Sequence, residues 1–484
     1  MSLSAAFTNA LSGLTVSSKM AQVVSSNVAN AMTEGYGRRT VETSAVSSGG
    51  VGYGVKIDGI SRQVNESLLQ DRRLADAAAG EASVTADFYA SVEDMIGDPT
   101  DANSLSAKMA SFESALVEAA SSPDSTGRLT TVVNTAKAVA EQLNSMSDEI
   151  NDIRLSADKQ IANQVDLLNT TLNQVDDLND EILKATTNGR DATALMDERQ
   201  ALIDQISEIV PLEIKERDNG QVAIYTSNGA TLLDGKVYEV GFTETGRMAA
   251  NFSLEGGTLS GLTVNGKEIN TTEDGALGGG TLSALFAVRD ELAPAAQEQL
   301  DTVARDLIER LSSSDVDTTI TTGSAGFFTD SGSAFDTADE LGIAGRIEVN
   351  AAIDPSEGGE VWRVRDGIYA TTAGDVGDST ILNNIADALS TTRAASSSAF
   401  GGSSYSASGL MSELLSNYST ARQSAELTES YTTAKQEALV EEELSNGVDT
   451  DQELQSLLVI EQSYAANAKV MQTLDSLMQE LLDL

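Results

Sequence analysis

Apolar residues at both ends of the chain recur in alternating steps of three and four, the spacing that keeps one stripe of a helix against a partner helix. Toward the C-terminus, within Asn446 to Leu484, the series is Leu457, Ile460, Tyr464, Asn467, Met471, Leu474, Met478 and Leu481, with Asn467 its one polar member. At the other end Leu3, Phe7, Ala10, Leu14, Ser17, Ala21, Val24, Val28 and Ala31 repeat it. A free helix would leave such a stripe in water, so each needs a cover. The plain alternative is a terminal helix docked on its own domain. The two stripes can also bury against each other, which makes everything between them one long insertion. Ser, Thr, Asn, Gln and Ala dominate their outer faces, a surface suited to packing against further copies of the chain.

Between the ends the pattern predicts helices over Val64 to Ile96, Ser104 to Ala120, Leu129 to Ile182 and Ala192 to Val210. The third carries a stripe from Leu129 through Val139, Ile150, Ala157, Ile161 and Leu172 to Ile182, with consecutive steps of four after Ala157 that locally unwind a coiled coil. After Pro211 the composition changes. Asn219-Gly220, Asn228-Gly229, Asp234-Gly235 and Asn265-Gly266 are hairpin signals inside a strand-rich segment. A helix from Leu282 to Leu311 is expected to kink or divide at Pro294. A Ser/Thr/Gly-rich mixed β region follows, in which Arg363 and Arg365 read as one face of a strand beside Trp362. Helix resumes from Leu410 to Leu444. Near the start, Gly35 and Gly37 bracket Tyr36 in a loop, and residues 49–57 suit a β-hairpin or extended arm.

The fold class expected is mostly α with β insertions: coiled-coil-like helices at both termini, a long helical-bundle rod and inserted β-rich regions. Residues 1–63 and 446–484 form a terminal helical unit, 64–210, 278–313 and 403–445 the rod, and 211–277 with 314–402 the β-rich outer part. An aromatic content of 4% with a single Trp fits elongated helical packing better than a large compact core.

Charge and composition narrow the function. With 74 acidic and 30 basic residues the formal net charge is −44, which repels nucleic-acid phosphate and anionic membrane surfaces. The absence of Cys and His removes disulfides, thiolate and imidazole metal sites and every catalytic arrangement built on them. No EF-hand loop, nucleophile elbow or Walker loop is present, and GGVGYGVKI opens no helix. Acidic pairs are too common among so many carboxylates to mark a catalytic dyad. No catalytic residues, cofactor or metal is therefore expected. No Sec-type leader precedes the first helix and no apolar run is long enough to span a membrane, which suits a cytosolic protein or one exported by another route.

Two terminal motifs carry a resemblance. The segment from Asn27 to Arg38, with Asn27, Asn30, Gly35, Tyr36 and Arg38, is similar to the N-V-A-N…T-x-G-Y-x-R loop of bacterial flagellar axial proteins. Gln462 to Leu482 resembles their C-terminal helix, and SNGVDTDQEL resembles their G-V-N-x-D-E-E segment with Asp449 in place of Asn. In the middle, ALMDERQALIDQISEIV and GGGTLSALFAVRDELAPAAQEQLDTVARDL resemble segments of the hook-associated protein 1 family, with Gln200 where Asp is usual and Ala284 where Gly is usual. The resemblance implies a structural, non-enzymatic protein of the extracellular flagellum, exported without a Sec signal by the flagellar type III apparatus. Its partners would be copies of itself in a ring, the hook protein, the second junction protein and an export chaperone, with no nucleic acid and no membrane insertion. The assembly seam would run through Leu3, Phe7, Leu14, Val24 and Val28 and the C-terminal series from Leu457 to Leu481. A hook or rod protein, or a cytosolic coiled-coil scaffold, is the rival reading; a mostly β middle would favour the hook protein.

Overall fold

The chain's structure, a computed structural model, describes residues 3–33, 35–48 and 51–482. α1 (Leu3–Ala29) is followed by the antiparallel strands β1 (Arg38–Ser48) and β2 (Val51–Gln63), paired from Arg38↔Gln63 with register shifts near Glu42 and Ala45. The strands lie along α1, whose Val16 and Val23 are buried in addition to the expected stripe. Gly54, at φ +100°, closes this contact: a Cβ there would fall on Ser12 Oγ, which accepts from Val55 N at 3.2 Å.

Side-chain caps begin most of the long helices of the body. Asn65 accepts from Leu68 N at the start of α2 (Glu66–Ile96), Ser104 from Ala107 N at α3 (Leu105–Ser121) and Ser125 from Arg128 N at α4 (Thr126–Thr187). The 62 residues of α4 run about 93 Å at 1.5 Å per residue. Its stripe is buried from Leu129 to Ile182 except at Ile153, where Arg154 takes the inner position, with Asp158 buried one turn later. The change of spacing after Ala157 thus coincides with an ionic core. Arg154 donates to the carbonyls of Arg289, Ala249 and Phe252, and Arg289 binds Asp158 at 2.6 Å with both side chains fully buried.

α5 (Thr193–Ile206) turns back along α4 and leads into β3 (Leu212–Glu216), β4 (Val222–Thr226) and β5 (Thr231–Leu233), an antiparallel sheet. A second sheet joins β6 (Val240–Gly241), β7 (Leu262–Val264) and β8 (Lys267–Ile269). Asn265 and Gly266 have the positive φ values that a two-residue hairpin turn requires, and Asn219 and Gly220 have positive φ in the longer turn between β3 and β4. α6 (Gly280–Ala287) passes into a π turn at Val288–Leu292 before α7 (Ala293–Arg310). Pro294 therefore sits in the first turn of a new segment, where its missing N–H is tolerated.

From residue 312 to 402 the mixed region is only partly β. β9 (Phe328–Asp330) pairs with β10 (Ile347–Val349), and β11 (Arg393–Ala394) with β12 (Ser404–Tyr405). Two helices lie between, α8 (Arg363–Asp366) and α9 (Thr380–Ser390). The expected strand at Arg363 and Arg365 is replaced by the single turn α8. Trp362 enters it in helical conformation, Arg365 is buried against Asp366, and Arg363 stacks over the Trp362 ring. The turn is held by its own backbone, Asp366 N donating to Trp362 O and Gly367 N to Arg363 O, which period-two alternation cannot show. α10 (Ala407–Asn446) packs on α2, and α11 (Thr450–Leu482) returns antiparallel to α1. The architecture is mostly α with β insertions. One apolar core runs from Phe88 to Tyr418, joining α4 to both small sheets and to α7, α9 and the start of α10, and contains no residue of α1, β1, β2 or α11.

Candidate assembly interface

α1 and α11 meet along the two expected stripes. On α1, Ala10, Ser17 and Val24 are buried, Leu14 and Val28 half-buried, and Leu3 and Phe7 more exposed. On α11, Leu457, Ile460, Asn467, Met471 and Leu474 are half-buried, whereas Tyr464 and Met478 remain 48% and 47% exposed; the side chain of Leu481 lies outside the described residues. Asn467 donates to Ser463 O of its own helix at 3.0 Å, and across the seam it meets Gly13, where a Cβ would approach its side chain to 2.7 Å. The amide therefore fits a notch in α1.

One side of this pair stays open. Leu458 and Val459 are 59% and 62% exposed, and Leu454, Val470 and Leu477 on α11, with Leu11 on α1, add to an apolar surface that nothing in the chain covers among the described residues. Lys19 is the one charged residue in the 27 of α1. Exposed apolar side chains grouped on one helix gain by meeting another apolar surface.

The motif loop closes the inner end of the pair. Asn27, almost fully buried, uses all its capacity: Nδ2 donates to Arg39 O and to Glu453 Oε2 at 3.1 Å, and Oδ1 accepts from Arg39 N and the Tyr36 hydroxyl at 2.9 Å. Arg38 binds the other oxygen of Glu453 at 2.7 Å. Arg39 lies over the Tyr36 ring, 4.9 Å from its centroid. Gly35, at φ +74°, turns the loop toward α5. Asn30 stays apart from this network, its amide donating to Ser26 O within the end of the helix.

The loop also reaches the body. Asp197 of α5 accepts from Gly37 N at 3.0 Å, Arg39 Nη2 at 2.7 Å and Arg62 Nε at 2.6 Å, and Gln200 accepts from Arg62 Nη2. Arg199, on the inner side of α5, donates to Asn179 Oδ1 and Gly220 O; burial, reinforced by Arg62 nearby, pulls its guanidinium down to about 10. Sequence reading missed Glu453, Asp197, Arg39 and Arg62 as site residues. Glu453 is the last carboxylate of SNGVDTDQEL and Asp197 lies in ALMDERQALIDQISEIV, so the signal was present in motifs used only for their likeness.

Residues 89–327 match the family model described as the flagellar hook-associated protein FlgK helical domain, and residues 443–484 match the flagellar basal body rod FlgEFG protein C-terminal model. An axial-protein terminus on a long-helix body is the class that the two matches point to together: the chain is similar to flagellar axial proteins. Flagellar hook-associated protein 1 of Bacillus subtilis (strain 168) is 26% identical over 264 residues, covering 49% of this chain and 51% of that protein. Its namesake in Escherichia coli (strain K12) is 25% identical over 240 residues, covering 48% and 44%. Over about half of its length the chain is similar to the flagellar hook-associated protein 1 family. It spans about half the length of the relatives it matches. The solved flagellar hook junction protein FlgK from Burkholderia pseudomallei is similar at a TM-score of 0.44 and 17% identity, over 54% of this chain and 46% of that one.

Proposed function

We propose that this chain is a structural subunit of the extracellular bacterial flagellum that self-assembles through α1 and α11 into the junction between hook and filament. The observation that carries the reading is the open apolar surface of the α1–α11 pair, with Leu458 and Val459 exposed on a helix whose stripe packs on α1. Copies of the same chain supply the cover in a ring. Hook protein below and the second junction protein above extend the same packing, and residues 211–277 and 314–402 face outward. The chain leaves the cell by the flagellar export route with an export chaperone, and it performs no catalysis.

Truncation after Gly447 tests this in a flagellated bacterium lacking its own copy. The body keeps its melting transition, because no residue of α11 belongs to the large apolar core. Filaments fail to grow, and filament subunits are lost to the medium. Normal filaments on cells carrying the truncated chain would overturn the assignment.

A further inference from the structure

We infer that Asp197 is a positioning residue: its carboxylate is the joint that fixes the angle between the terminal unit, formed by α1, β1, β2 and α11, and the long-helix body. Apolar packing contributes little to that angle, since no terminal-unit residue joins the large core. The covalent connections are two short linkers, Val64-Asn65 and Gly447 to Asp449. Among the described residues, the side-chain links out of the terminal unit converge on α5, and three of them end on this one carboxylate.

The three donors come from three segments: Gly37 N from the motif loop, Arg39 from β1 and Arg62 from β2. Oδ1 takes Gly37 N and Arg62 Nε while Oδ2 takes Arg39 Nη2, so a single planar group holds three directions at once. Its own base is rigid. On the same helix Arg199 is bound to Asn179 of α4, and Asp204 accepts from Arg73 and Arg72 of α2 at 2.7 and 2.6 Å. Asparagine would keep the shape but offer one acceptor to three donors and turn an amide N–H₂ toward a guanidinium or a backbone N–H. A ring can close only if every copy presents its terminal pair at one angle; that consequence rests on the junction reading, while the joint itself does not.

The chain has no cysteine, so paired Cys substitutions give specific spin-labelling sites. A pair at Ser18 and Gln174, exposed positions on α1 and α4, reports across the joint, and a pair at Ser18 and Gln472 reports within the terminal unit. Dipolar distance measurements on the full chain in the D197N background should show the Ser18–Gln174 distribution widened at least twofold. The Ser18–Gln472 distribution and the melting midpoint should be unchanged. R39Q removes one donor from the terminal side without touching α5 and should widen the same distribution even if D197N melts early. Unchanged widths across the joint in both variants would overturn the inference, as would equal widening within the terminal unit. No assembly is needed for this readout, so its failure leaves the junction reading standing, and failure of that reading leaves the joint standing.

Discussion

α4 and α11 carry the same three-and-four spacing, yet one stripe is buried almost end to end and the other is only half covered. Leu168, Leu172 and Val175 on α4 are buried, and along its length α4 is covered by α5, the small sheets, α6 and α7, all supplied by the chain itself. Tyr464 and Met478 on α11 remain about half exposed although they belong to the stripe facing α1, and Leu458 and Val459 beside them have no cover. Spacing therefore announces that a helix needs a partner but not where the partner resides. α4 is completed by its own chain; α11, on the function proposed above, is completed by assembly.

That contrast can be broken most strongly inside the body. Arg289→Met leaves Asp158 buried without its countercharge, and removing one member of a buried pair costs about 3–5 kcal/mol. Denaturant melts of the full chain should show that loss in the main transition, with the α1–α11 contact unaffected below it. Glu453→Ala acts on the other region. It strips Arg38 and Asn27 of their shared carboxylate, and hydrogen bonds to charged groups contribute roughly 1.5–3 kcal/mol. Amide exchange should accelerate in α11 and the end of α1 and stay slow in α4.

A smaller effect sharpens the body side. Burial pushes the Asp301 carboxyl up to about 6, against the pull of the Ala344 and Gly342 N–H groups and the Gln297 amide. Its folded-state pKa lies above the unfolded one, so the stability it contributes is fully present below about pH 4 and is lost as pH rises through 6. Asp301→Asn should flatten the slope of melting temperature between pH 4 and 6; an unchanged slope would show that Asp301 does not titrate there.

Much of this was legible because apolar period and turn residues are local signals. The ends of α4, the hairpins at Asn219-Gly220 and Asn265-Gly266 and the break near Pro294 follow from them. Arg363 and Arg365 were misread because two alternating cations look the same in a strand and in one helical turn until Asp366 N is seen to donate to Trp362 O. The Glu453 and Asp197 contacts join residues 415 and 160 positions apart in the chain, and no spacing rule encodes them. Asn467 was legible as the polar member of its stripe, but its counterpart, the empty space at Gly13, was not.

The central claim is that the exposed row on α11 exists for other copies and not for the fold of its own chain. Its most direct test is filament growth on cells whose only copy carries Leu458→Ser with Val459→Ser, the two most exposed apolar residues of that row with described neighbours on both sides. The account predicts secretion and a melting midpoint equal to the unmodified chain, since changes at exposed sites move stability by no more than about 0.5 kcal/mol, together with loss of filaments. Filaments of normal number and length on those cells would contradict it.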